Sequence, residues 1–72
     1  MYIVIAGLSD IGKNLAELLV KEGNEVLVID RDLTKCTAIT ENSEVMAIIG
    51  DAGQKSTLEE ARVRSANAFV AA

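Results

Sequence analysis

The chemistry in this sequence is carried by a short loop and two aspartates. The loop is IAGLSDIG, with Gly7, Leu8, Ser9, Asp10, Ile11 and Gly12 following an apolar run and opening a helical pattern. A glycine turn between a strand and a helix can seat a pyrophosphate. The first glycine makes the tight turn, the second lets backbone amides approach the phosphates, and the third lets the helix pack closely on the sheet. Gly7 and Gly12 suit the first and third roles, while Ser9 stands at the second. Its hydroxyl can donate to a phosphate oxygen or cap the helix. Asp10 opposes an anion: a carboxylate ~6 Å from one phosphate charge costs roughly 3 kcal/mol at an effective dielectric of 20, less if it turns to water.

The first aspartate is Asp30, about 20 residues beyond the glycines, at the end of a second apolar run. An acid there accepts from ribose hydroxyls and disfavours a 2′-phosphate, so NAD or an unphosphorylated adenosine ribose is expected over NADP. The alternative is a turn residue or a partner of Arg31, the neighbouring cation. The second aspartate is Asp51, in Gly50-Asp51-Ala52 after a third apolar run. It can bond a base or ribose, or close an Asx-turn. Cys36 falls on the apolar face of a helix and reads as a small core residue.

These residues need elements to position them. Residues 2–6 read as a buried strand. A helix starts near Ile11, capped by Ser9 or Asp10, with Ile11, Leu15, Leu18 and Leu19 at helical spacing, and stops at Gly23. Residues 25–30 form a second strand. Asp32 caps a second helix with Leu33, Cys36 and Ile39 on its apolar face, ending near Asn42. Residues 45–49 form a third strand. Ser56-Thr57-Leu58-Glu59 has the capping-box pattern, so a third helix runs to about Val63. Residues 67–71 form a fourth strand. Alternating strands and helices with right-handed crossovers predict an α/β fold: a four-stranded parallel sheet in order 3-2-1-4, with helices on both faces. This is a Rossmann-like, truncated doubly wound arrangement spanning residues 1–72. Its switch point, between strands 1 and 4, coincides with the glycine loop.

Composition narrows the function. The chain has 72 residues, is 50% hydrophobic, and has Tyr2 and Phe69 as its aromatics, so its core is aliphatic. A net charge of −4 argues against nucleic acid. One cysteine and no histidine argue against a zinc site or a disulfide framework, and fit a reducing cytosol. No run is long enough for a membrane span, and the first residues lack the pattern of a signal peptide. No catalytic base, nucleophile or metal cluster is visible. Three classes remain: a regulatory nucleotide-binding module, the start of an NAD-dependent dehydrogenase that would need a second domain, and a degenerate Rossmann half used for assembly.

The whole chain resembles the N-terminal nucleotide-binding domain of potassium-transport regulators, the RCK or TrkA-N (KTN) family. The resemblance rests on YIVIAG-x-x-x-x-G, VLVIDRD, IIGDA and TLEEARVRSANAFVAA. It implies a non-catalytic regulatory domain on the cytosolic side of a potassium channel or transporter subunit. The implied ligand is NAD(H), with ATP or ADP as the alternative. By position, Gly7 to Gly12 would face the phosphates, Asp30 with Arg31 beside it would hold the adenosine ribose, and Asp51 and Ala52 would flank the adenine. The chain departs from the family at Ser9, usually glycine, at Asp10, where a positive or neutral residue is common, and at Ala66-Asn67, where Ala-Asp is typical. The family domain continues for two more strands, so strand 4 is expected to present an open edge, NAFVAA, with no charge or proline to protect it. A homodimer through that edge, or through helix faces, is the expected assembly.

Overall fold

The computed structural model describes residues 1–72. Strands β1 (Tyr2–Ala6), β2 (Glu25–Asp30), β3 (Met46–Ile49) and β4 (Ala68–Ala71) alternate with helices α1 (Asp10–Lys21), α2 (Leu33–Asn42) and α3 (Lys55–Glu60). A 3-10 turn, Val63–Ser65, precedes β4. The sheet order is β3-β2-β1-β4, and every pairing is parallel. This is the predicted topology. The central strands are continuous β-branched runs because both faces of a parallel sheet are covered. Val4, Ile5 and Val28 are fully buried.

The two faces are unequal. One carries α1 and α2, and its core comprises Ile3, Ile5, Leu8, Ala16, Val26, Val28, Cys36, Ile39 and Val45. The other carries α3, and its core is Val4, Leu27, Ile29 and Ala61. Helices α1 and α2 start at side-chain caps. The Ser9 hydroxyl accepts from Gly12 N–H and the Asp32 carboxylate from Lys35 N–H. Gly23 follows the C-cap of α1, and its φ of +93° is readily adopted without a Cβ.

Several local expectations need correction. Ile11, Leu18 and Leu33 do not join the core, and each is more than half exposed. Instead α1 buries Gly12 and Ala16, with Leu15, Leu19 and Val20 packed alongside. A helix that sits close to a sheet turns its small residues inward, which an apolar-spacing argument overlooks. The capping-box pattern at Ser56 is not used. Helix α3 begins two residues earlier with Gln54 as its uncapped boundary, so Ser56 lies inside the helix and Glu59 faces Lys55 at 3.9 Å. The helix stops at Glu60, short of Val63, and Arg62 then takes a left-handed conformation (φ 53°). The third strand starts at Met46 and the fourth at Ala68. Asn67 still bonds to β1: its backbone N–H donates to Tyr2 O and its side-chain oxygen accepts from Tyr2 N–H, both at 2.8 Å. The Tyr2 hydroxyl donates to Ala61 O, and Arg62 lies 5.4 Å from the Tyr2 ring centroid. These contacts tie the end of α3 to the amino end of the sheet.

Candidate functional site

The glycine loop leaves β1 at the carboxyl end of the sheet, where β2 and β3 also end. Gly7 N–H donates to Ile29 O at 2.8 Å, and Ala72 N–H donates to Ala6 O at 2.8 Å. The loop is thereby clamped between β2 and the residue after β4. Gly7 has a φ of +107°, and a Cβ there would lie 2.5 Å from Ala72 O. A Cβ on Gly12 would collide with Gly7 O and press on the Ala72 methyl. Both glycines therefore do what the sequence pattern assigns to them: one makes the turn, and the other brings α1 against it.

Ser9 acts as the N-cap of α1, with its Oγ 3.2 Å from Gly12 N. Its carbonyl accepts from Lys13 N–H at 2.8 Å. The N–H groups of Asp10 and Ile11 donate to no other group of the chain. They are the unpaired donors that a helix N-terminus offers to an anion. The side chains of Asp10 and Ile11 are exposed, whereas Leu8 is buried in the core.

Asp30 is joined directly to the loop. Its Oδ2 accepts from Leu8 N–H at 2.7 Å and its Oδ1 from Asp32 N–H at 2.8 Å. The Asp32 and Leu8 amides hold its carboxyl below the usual carboxylate range, against some desolvation, and Lys35 adds to the effect. Each carboxylate oxygen has a second acceptor position, so ribose hydroxyls could donate while these bonds persist. Asp30 is not the partner of Arg31. The Arg31 guanidinium instead reaches across the ends of β2 and β3 to Asp51, at 2.6 Å. Asp51 also accepts from Gly53 N–H at 2.8 Å, which closes the Asx-turn. That amide chiefly, with Arg31 assisting against desolvation, lowers the Asp51 carboxyl from its ordinary value. Ala52 is half-buried and, like Leu58 and Val63, packs against the α3-side core.

The structure thus brings Gly7, Leu8 and Asp30 into one hydrogen-bonded unit, and Arg31 and Asp51 into another. Sequence reasoning overlooked Lys13 and Lys35. With Leu8, Asp10, Ala38 and Ile39 they line an open cleft of about 220 Å³ between the starts of α1 and α2. Their signal was positional: each sits in the first turn of a helix that starts from a proposed site loop. A cleft of about 500 Å³ beside α3, lined by Lys55, Leu58, Arg62 and Val63 among others, shares no residue with this site. Cys36 is buried, and burial raises its thiol above the ordinary range, with Asp30 and Asp32 adding to the shift. It is a packing residue. No three His, Cys, Asp or Glu side chains converge in a metal-binding group. No helix is long and apolar enough to cross a membrane.

Sheet order, glycine turn and strand-end acids define a Rossmann-like domain, the class whose ligand crevice lies at the switch point. The sequence profile of the TrkA-N domain matches residues 3–72, and the chain belongs to that family. It is similar to the Trk system potassium uptake protein TrkA homolog of Methanothermobacter thermautotrophicus, with 38% identity over 72 residues, all of this chain and 33% of the relative. The homolog of Pyrococcus horikoshii is 39% identical over 71 residues, 99% of this chain and 31% of the relative. TrkA of Streptomyces coelicolor is 37% identical over 71 residues, 99% and 32% respectively. The chain spans about a third of the length of these curated relatives.

Proposed function

We propose that this domain is a regulatory nucleotide-binding module of potassium transport, acting on the cytosolic side of a membrane potassium transporter or channel subunit. The names of its relatives, potassium uptake proteins, support the physiological part of this reading. The single observation that carries the nucleotide part is the pairing of the glycine turn with Asp30. The loop's helix-start amides are unpaired, and the ribose-type acid is hydrogen-bonded to Leu8 of that loop. Phosphates would lie at the start of α1 and the adenosine ribose at Asp30, with Asp51 near the base. The acid favours NAD(H), or ATP or ADP, over NADP.

A thermal-shift screen with NAD, NADH, NADP, ATP, ADP and AMP tests the reading. A ligand at 100 times its Kd should stabilise the fold by about 2.7 kcal/mol. Titration of Asp30→Ala should then show weaker binding of the stabilising ligand. Equal affinity in the two proteins would remove Asp30 from the site, and no stabilisation by any nucleotide would remove the function. The double change Ser9→Gly with Asp10→Arg should tighten binding by about 1–3 kcal/mol through closer phosphate approach and reversed charge.

The domain associates with copies of itself in this reading. The exposed apolar residues Phe69 on β4 and Ile11 and Leu18 on α1 support association through the β4 edge or a helix face. Light scattering at micromolar concentration should give more than one chain's mass, and lysine at position 69 should reduce it.

A further inference from the structure

Asp30 and Arg31 are consecutive at the end of β2, yet their side chains are engaged differently. Asp30 bonds to backbone amides, and Arg31 is drawn 2.6 Å from Asp51 on the loop after β3. A cation beside the ribose-binding acid is the group that accommodates a 2′-phosphate in Rossmann-type sites. Here it has a partner already. Asp51 is itself held in place, because its other oxygen accepts from Gly53 N–H. The charges around the ribose position are therefore Asp30, Asp32 and Asp51 against Arg31 and Lys35, leaving the neighbourhood negative even with both cations counted.

We propose that Asp51 is a specificity-determining residue: by holding the Arg31 guanidinium it denies that cation to a 2′-phosphate and directs the site to nucleotides without one. The inference rests on the nucleotide-binding reading above. A nucleotide carrying a 2′-phosphate must draw Arg31 away from Asp51 and leave that carboxylate unpaired near the new anion. A nucleotide with a free 2′-hydroxyl leaves the pair intact and donates to Asp30. Exclusion thus belongs to two acids, one acting on the ribose directly and one acting through Arg31.

The pair is solvent-exposed, with the Arg31 side chain 76% accessible, so its hold is modest and salt-sensitive. The test is a cycle of four proteins: the parent chain, Asp51→Asn, Arg31→Gln and the double variant, each titrated with NAD and with NADP at low salt. Asp51→Asn keeps an oxygen for the Gly53 amide while losing the charge that holds Arg31. It should raise the ratio of NADP to NAD affinity about two- to fivefold, the scale of an exposed ion pair. The gain should vanish when Arg31→Gln is added. Asp51→Ser, which also retains an acceptor, should reproduce it, and melting curves verify folding of each variant. An unchanged ratio in Asp51→Asn and Asp51→Ser, with NAD still bound by the parent, overturns the selection alone. A gain that persists without Arg31 overturns the capture of the cation and leaves simple charge removal. Failure of the parent to bind either nucleotide overturns this inference, and failure with every nucleotide of the thermal-shift screen overturns the nucleotide reading as well.

Discussion

The two faces of the sheet are built to different standards. On one, helices of 12 and 10 residues start at side-chain caps and bury nine core residues against the strands. On the other, a six-residue helix starts without a side-chain cap and covers a core of four. The difference follows from the loops that launch the helices. The β1–α1 and β2–α2 connections place Ser9 and Asp32 at helix starts, and Asp30 cross-links the two connections through Leu8 and Asp32. The β3–α3 connection commits Asp51 to its own turn and to Arg31, and the residue at the helix start, Gln54, makes no side-chain cap bond. The face that carries the proposed phosphate and ribose positions is thereby the one with capped helices and the larger core.

Matched glycine substitutions should break this comparison most visibly. Gly12→Ala sets a Cβ against the Gly7 carbonyl, backbone that cannot yield without moving α1. A loss of about 4 kcal/mol or more is expected in denaturant unfolding, close to the whole stability of a small domain. Gly50→Ala meets the Thr57 side chain at 3.2 Å, which can rotate away. Its cost should stay near 1 kcal/mol or below. Similar losses at both positions would mean that the faces are equally tight.

Truncations of one residue type sharpen the same contrast. Ile5 is fully buried on the α1–α2 face and Ile29 almost fully on the α3 face. Ile5→Ala should cost about 4 kcal/mol and Ile29→Ala about 3, because the shorter helix can collapse toward the space left behind. Equal losses, or the reverse order, in urea titrations would contradict the looser packing of the α3 side.

The cross-link at Asp30 supplies a pH test. Its carboxyl is held below its ordinary value by the Asp32 and Leu8 amides, so the folded state favours the ionised form. The stability it contributes is complete above the unfolded carboxyl pKa, about 4, and is lost as pH falls through the lower folded value. Asp30→Asn should lower stability at pH 7 by about 1 kcal/mol, a figure reduced for partial exposure. The gap between parent and variant should close below about pH 4. Melting temperatures across pH 2–7 measure it, and a gap independent of pH would exclude the charge as its source.

The smallest effect is a gain. Gln54→Asp supplies α3 with the cap it lacks and should stabilise the domain by about 0.5–1 kcal/mol. The same thermal melts detect it. No gain would show that the α3 start is already satisfied by other means.

The sequence by itself determined the element order, the parallel 3-2-1-4 sheet and the duties of Gly7, Gly12 and Gly23. Each follows from local rules: buried strands read as β-branched runs, crossover handedness is nearly invariant, and glycine alone fits a close approach or a left-handed turn. Ser9 and Asp32 were legible as caps for the same reason, since a cap bonds within a few residues of itself. Tertiary structure decided what depends on distance across the chain. Apolar spacing assigned Ile11 and Leu18 to the core, but the closeness of α1 to the sheet turned Gly12 and Ala16 inward instead. The Ser56 capping pattern gave way to an earlier helix start, because Gln54 N–H bonds to Asp51 O and sets the turn before it. Asp30 and Arg31 are adjacent in sequence, yet only the convergence of the strand ends shows that the acid serves Leu8, 22 residues away, and the cation serves Asp51, 20 residues away. Pairings of that range arise from the folded sheet, which no local pattern in the chain encodes.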